Sequence, residues 1–343
     1  MPSPQEILNE LKKLKYPGFT RDIVSFGLIK DIEVGHATVT VILNAPSANP
    51  EVVAQIAAEV EKIVAAMPGV PAVRVQVEQA QPARAATGLQ RRPIPGVKHI
   101  VAVASGKGGV GKSTVAVNLA LAMGALGWRI GLMDADVYGP SVAMMVGARE
   151  QVRVTPERRI VPLERFGIRY VSMALFIGDD TAVIWRGPMV TKLESEFLFN
   201  VEWGELDCLV LDLPPGTGDA QLSLCQTVPL DGGVIVTTPQ EASLGVVRKG
   251  IAMFNKVNVP ILGIVENMSY FMAPGGERVE IFGHGGGRSE AERQKIPFLG
   301  EIPIDTQIRI GGDQGVPVVV SSPTASSGQA FTRIAAILRQ AIG

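Results

Sequence analysis

The residue pattern predicts an α/β protein in which a doubly wound, mostly parallel sheet follows a small N-terminal α+β domain. Three observations carry this. After Lys98, strand-like apolar runs alternate with helical stretches. Several of those runs are apolar without interruption, as parallel strands covered on both faces must be. Ahead of them, residues 1–78 keep a different rhythm and end at a stretch rich in proline, arginine and small residues.

In the first segment Ile7, Leu8, Leu11 and Leu14 recur at helical spacing. Val39, Val41 and Leu43 alternate with Thr38, Thr40 and Ile42, a strand signal. Val52, Val53, Ile56, Val60, Ile63 and Val64 return to the helical period, and Val73, Val75 and Val77 alternate with Arg74 and Gln76. The expected order is helix, two strands, helix, strand. Residues 79–97, with Pro82, Pro93 and Pro95, have the composition of a solvated linker. The second domain, 98–343, offers strands at 99–105, 129–135, 207–213, 232–239 and 261–268, and helices at 112–126, 219–226 and 244–257. A sheet of this kind takes its ligand at the carboxyl ends of the strands.

Composition narrows the classes of function. A chain of 343 residues with 46% hydrophobic and 19% charged residues has the material for two globular domains. A net charge of −1 provides no global field for nucleic acid or an anionic membrane. Cys208 and Cys225, the only cysteines, make no disulfide framework. The N-terminal fifteen residues are charged and amphipathic, unlike a secretory leader. The most apolar stretch, 115–133, is broken by Asn118, Gly124, Gly127 and Arg129, and reads as a buried helix, a turn and a strand. Phe331, Ile334 and Leu338 form a terminal stripe with too few cations for membrane attachment, so a docked core helix is expected. The expectation is a cytoplasmic protein with no nucleic-acid or membrane partner.

The chemistry centres on Gly106-Lys107-Gly108-Gly109-Val110-Gly111-Lys112-Ser113, followed by Thr114. This fits G-x-x-x-x-G-K-S/T in full, with a β-branched strand running in and a helix running out. Glycines let the backbone curl so that successive N–H groups face phosphate oxygens, and the helix adds its positive dipole end. Lys112 is expected to reach the β- and γ-phosphates of ATP, and the Ser113 hydroxyl to ligate Mg²⁺. Asp134 and Asp136 close the next strand and share a face. Asp212 ends the apolar run Leu209-Val210-Leu211 and matches the carboxylate that holds Mg²⁺, with Gly216 and Thr217 following as a switch segment. Asn267 ends a later strand with a side chain that both donates and accepts, suited to an adenine edge.

The string with its extra Lys107 resembles the deviant Walker A class of P-loop NTPases, among them nitrogenase iron protein and the septum- and chromosome-positioning ATPases. That resemblance implies that Lys107 crosses a dimer interface to the partner's nucleotide and that Asp136 orients the attacking water. Together with Asp136-Val137-Tyr138-Gly139-Pro140-Ser141, Glu266-Asn267-Met268-Ser269-Tyr270-Phe271 and the N-terminal Asp22-Ile23-Val24-Ser25-Phe26-Gly27-Leu28, the order of motifs resembles the Mrp/ApbC group of iron–sulfur cluster carrier ATPases over almost the whole chain. The resemblance implies a homodimer that hydrolyses Mg²⁺–ATP and delivers clusters to apoproteins, with Lys107, Lys112 and Asp136 catalytic. Asn267 would contact the adenine, while Ser113 and Asp212 would hold Mg²⁺.

One departure stands out. The group commonly continues with Cys-x-x-Cys, which holds a shared 4Fe–4S cluster; here the stretch reads Met272-Ala273-Pro274-Gly275-Gly276-Glu277, one residue short before Ile281-Phe282-Gly283. Alanine and glycine cannot ligate iron. Cys208 and Cys225 read as buried apolar thiols, and His284 as a loop histidine. A cluster held by other ligands, an ATPase adaptor that carries none, and a positioning-type ATPase remain the open readings.

Overall fold

The computed structural model describes residues 2–14, 22–24, 28–35, 38–45, 50–79, 91–137, 139–176 and 187–343. The linker stretch 80–90, Ser25, Phe26 and Gly27 of the N-terminal string, and Tyr138 lie outside the described residues. The chain divides into two compact units, 1–88 and 89–343.

The first unit runs α1 (Pro4–Leu11), β1 (Ile29–Val34), β2 (Val39–Ala45), α2 (Pro50–Ala65) and β3 (Val73–Gln79). Its order is the one the periodicity predicts. A reciprocal cap starts α1: the Glu6 N–H donates to the Ser3 hydroxyl, while the Glu6 carboxylate accepts from the Ser3 backbone. The strands pair β1-β2-β3, antiparallel then parallel. Ile7, Leu11, Val39, Val41, Leu43, Ile56, Val60 and Val64 form the core.

The second unit begins with β4 (Val97–Ser105), α3 (Lys112–Ala125), β5 (Ile130–Asp134) and α4 (Val142–Met145). Short strands β6 (Arg153–Val154), β7 (Ile160–Val161), β8 (Leu163–Arg165) and β9 (Ile168–Val171) follow. Then come α5 (Gly187–Phe199), β10 (Leu206–Asp212), α6 (Asp219–Thr227), β11 (Gly232–Thr237), α7 (Glu241–Lys256) and β12 (Ile261–Glu266). The hairpin β13 (Phe271–Met272) and β14 (Arg278–Val279) leads to α8 (Gly286–Gln294) and β15 (Phe298–Glu301). α9 (Thr306–Gln314), α10 (Val318–Ser321) and α11 (Ser326–Ile342) end the chain.

The large sheet has the order β15-β12-β11-β4-β10-β5-β9-β8, parallel throughout except for β8 against β9. β4 therefore lies between β10 and β11, and its crossover through α3 reaches β5 beyond β10. This is the doubly wound arrangement, with the crevice at the carboxyl end of β4. The five expected strands are its centre. β8, β9 and β15 were not anticipated, because their runs are short and carry Arg165, Arg169 and Glu301 among the apolar residues. The expected strand at 261–268 stops at Glu266, and Met268 has a positive φ of 55°. Helix α7 starts at Glu241, earlier than the apolar spacing marks.

Helix α11 packs on α3 with Phe331, Ile334 and Leu338 buried, so the terminal stripe is core. Among the described residues, no helix is long and apolar enough to cross a membrane.

Glu194 on α5 is a carboxylate buried in this core. It is 3% exposed, and neither carboxylate oxygen has a hydrogen-bond partner. Burial pushes its carboxyl up to about 8 from an ordinary 4.5. Between those values the folded chain binds more protons than the unfolded one, so its contribution to stability falls as pH rises through that window. Glu194→Gln should raise the melting temperature at pH 8, a gain of roughly 1–3 kcal/mol that shrinks towards pH 5. Thermal melts of both proteins across that range check it; a pH-independent difference would remove the buried-acid explanation.

Candidate functional site

The phosphate loop connects β4 to α3 at the centre of the sheet. Two of its glycines are needed for their conformation. Gly109 and Gly111 have φ of 78° and 80°, where an L side chain is strained. A Cβ on Gly111 would also fall on the side-chain nitrogen of Asn267. Gly111 is the residue before the first turn of α3, so the helix's free N–H groups open into the loop.

Lys112 is 6% exposed, and its ammonium lies 2.5 Å from Asp212 Oδ1 and 3.2 Å from Ser113 Oγ. Asp212 is fully buried at the end of β10, and its other oxygen, Oδ2, has no hydrogen-bond partner. Across the sheet Asp212 is in register with Asp134 on β5. Two buried carboxylates thus stand side by side, one of them paired to a buried lysine. Burial and the Asp212 charge push the Asp134 carboxyl up to about 7. Burial also raises Asp212, and Lys112 opposes that rise.

Asp134 is occupied structurally. Its Oδ2 accepts from Ser172 Oγ at 2.8 Å and from the N–H groups of Ser141 and Val142 at 3.1 and 3.2 Å, which caps α4. Its Oδ1 accepts from the Asp136 N–H at 3.1 Å. Asp136 lies only partly buried and accepts from the Gly139 N–H at 3.2 Å. A cavity of about 200 Å³ brings Asp136, Lys107, Gly108, Gly109, Gly111, Lys112, Ser113 and Thr114 together, with Pro215, the residue before Gly216, on its wall. Gly216, at φ 99°, donates its N–H to the Ser105 carbonyl. Gly106 meets the Val246 backbone so closely that no side chain fits there.

Asn267 is 6% exposed and its Nδ2 donates to the Val110 carbonyl at 2.9 Å, tying β12 to the loop. It borders a second cavity of about 330 Å³ with Gly111, Thr114, Met145, Met268, Phe282 and Ile304. Gly111, Thr114 and Met145 line both cavities, so the two are contiguous. The sequence pattern assigned no site role to Met145, Phe282 or Ile304. They come from three separate segments, and no local spacing marks them.

The segment standing where Cys-x-x-Cys was expected is the turn of the β13–β14 hairpin, closed by Ala273 N–H to the Glu277 carbonyl at 2.9 Å. Cys208 and Cys225 are both buried, and burial raises both thiols, Cys225 to about 12. His284 comes near Glu266 and Glu301, but Arg278 donates to His284 Nδ1 at 2.8 Å and to Glu301 at 3.0 Å. Glu266 accepts from Ser269 Oγ and from the N–H groups of Gly285 and Gly287. A guanidinium and backbone donors take the places a cation would use.

A family model described as NUBPL iron-transfer P-loop NTPase matches residues 96–339, and one described as iron–sulfur cluster assembly protein matches residues 4–77. The chain is 41% identical to the iron–sulfur cluster carrier protein of Aquifex aeolicus, covering 98% of each chain. It is 46% identical to that of Deinococcus radiodurans, over 97% of this chain and 93% of the relative. Among solved structures, a nucleotide-binding protein from Archaeoglobus fulgidus in complex with ADP superposes with a TM-score of 0.59 at 40% identity, over 68% of this chain and 92% of that one. The cell division ATPase MinD of Pyrococcus furiosus shares the fold, with a TM-score of 0.54 at 22% identity, over 71% of this chain and 98% of that one.

The Lys112–Asp212 pair yields a stability prediction. Lys112→Ala leaves a buried carboxylate without its cation, at a cost of about 3 kcal/mol. Adding Asp212→Asn removes the orphaned charge and should recover most of that loss. Denaturant melts of the single and double variants read this directly; additive losses would mean the two groups do not interact.

Proposed function

Because this chain belongs to the family of NUBPL-type iron-transfer P-loop NTPases, we propose that it binds and hydrolyses Mg²⁺–ATP and delivers iron–sulfur clusters to apoproteins. The observation that carries the nucleotide reading is the convergence of Lys107, Gly108, Gly109, Gly111, Lys112, Ser113, Thr114 and Asp136 at one cavity, with the buried Lys112 ammonium paired behind it to Asp212 and able to exchange that carboxylate for a phosphate.

In this reading the N–H groups of Gly108, Gly109, Val110, Gly111, Lys112, Ser113 and Thr114 grip the phosphates, with Gly106 turning the chain out of β4. Lys112 moves its charge from Asp212 to the β- and γ-phosphates. Asp212, with an oxygen already unpartnered, and the Ser113 hydroxyl are the groups fitted to hold Mg²⁺. When bound, that ion would neutralise phosphate charge. Asp136, at the cavity wall, positions and polarises the attacking water. Lys107 supplies a second cation to developing charge, across a homodimer interface. Asn267 holds the adenine edge from the contiguous cavity.

We also read the domain division as 1–78, a linker at 79–97 and an ATPase domain at 98–343, and the working form as a cytoplasmic homodimer with apoprotein clients. The cluster is cargo in this scheme. The hairpin at 272–277 offers no thiolate for it, and both thiols of the chain are buried.

Two measurements test these roles. Phosphate release should fall about a hundredfold or more in Lys112→Ala and in Asp136→Ala; unchanged turnover in both would end the assignment. Anaerobic reconstitution with iron and sulfide, followed by absorbance and iron assay, tests carriage separately. Bound cluster supports a carrier with other ligands, whereas iron-free protein with intact turnover leaves an ATPase adaptor.

A further inference from the structure

The second cavity is walled by both ends of one surface segment. The chain leaves it at Asn267 and Met268, forms the β13–β14 hairpin, and returns to it at Phe282. The hairpin is coupled to the opposite wall as well. The Ile304 N–H donates to the Tyr270 carbonyl at 2.6 Å, and Phe271 bridges to Ile304, itself a cavity residue.

The segment's root is fixed. The buried Glu266 carboxylate, one residue before Asn267, accepts from the N–H groups of Gly285 and Gly287 just beyond Phe282. Arg278 stacks over the Tyr270 ring and bonds His284 and Glu301, which ties the hairpin back to β15. Phe282 itself is 37% exposed, an aromatic ring on the wall of an apolar cavity with one side uncovered. A flat aromatic ligand entering that cavity would cover the ring and gain a stacking or edge contact.

We infer that Phe282 contacts the nucleotide's purine, and that the segment 271–285 is a flap ordered by the base rather than by the phosphates. This rests on the phosphate loop being an ATP site. The two cavities adjoin along Gly111, Thr114 and Met145, so a nucleotide with its phosphates at Lys112 and Ser113 has the second cavity as the neighbouring space for its base. Base occupancy then bears on Phe282, and the Glu266 and Ile304 contacts carry it to the hairpin. A site that senses only phosphates would respond equally to any triphosphate; this one distinguishes a nucleotide from its bare anion.

The test uses the full chain with Mg²⁺ and either ATP or inorganic tripolyphosphate. Hydrogen exchange of peptides covering 271–285 should slow several-fold more with ATP than with tripolyphosphate. By calorimetry, Phe282→Ala should bind ATP about three- to tenfold more weakly and tripolyphosphate unchanged, and Phe282→Tyr should restore the affinity. Equal protection of the hairpin by both anions, or full ATP affinity in Phe282→Ala, would overturn the inference while leaving the phosphate site standing. Failure of the unaltered protein to bind ATP at all would remove the ATP reading, and this inference with it.

Discussion

One ion pair organises the centre of this molecule. Lys112 opens the helix after the phosphate loop and Asp212 ends the central strand beside it, both out of solvent and 2.5 Å apart. Neither charge tolerates that environment alone, since desolvation outweighs any single exposed contact. The pair also offsets the repulsion between Asp212 and Asp134, which are in register on neighbouring strands. Asp134, beside this pair, turns its own oxygens to the cap of α4.

Such a pair is stable in the free protein and still replaceable. An ammonium that leaves a carboxylate for a polyphosphate keeps a negative partner, so the exchange does not bury an unpaired charge. The carboxylate it leaves acquires need of a cation, and Asp212 Oδ2 already lacks a hydrogen-bond partner. In the proposed scheme, phosphate binding and metal binding would thus be linked by charge balance. Asp134 takes no part in that exchange, because Ser172 and three backbone N–H groups already occupy its oxygens. Asp136, two residues on, stays at the cavity with its carboxylate less encumbered.

The hairpin at 271–279 is where this chain departs from the group it resembles, and the geometry gives the departure a physical setting. With alanine, proline and glycines at its turn, the hairpin offers iron no cysteine, yet it is tied through Arg278, Tyr270 and Glu266 to the walls of the second cavity. The two thiols lie elsewhere, both buried and both raised by desolvation.

Much was legible without coordinates, for reasons of local physics. The phosphate loop is a contiguous string whose backbone requirement demands glycine, so Gly109 and Gly111 announce themselves. The parallel strands announce themselves because burial on both faces requires unbroken apolar runs, as in residues 208–211 and 234–236. Strands β8, β9 and β15 were illegible because each is short and needs a neighbouring strand to exist. The sequence by itself determined the doubly wound class, the phosphate cradle and the absence of cysteine ligands after Phe271, since each resides in adjacent residues or their spacing. Only the tertiary structure decided that Asp134 is a structural cap, that Asn267 braces Val110, and that Phe282 faces a cavity beside Thr114. Those facts depend on contacts between residues far apart in the chain, which no local pattern records.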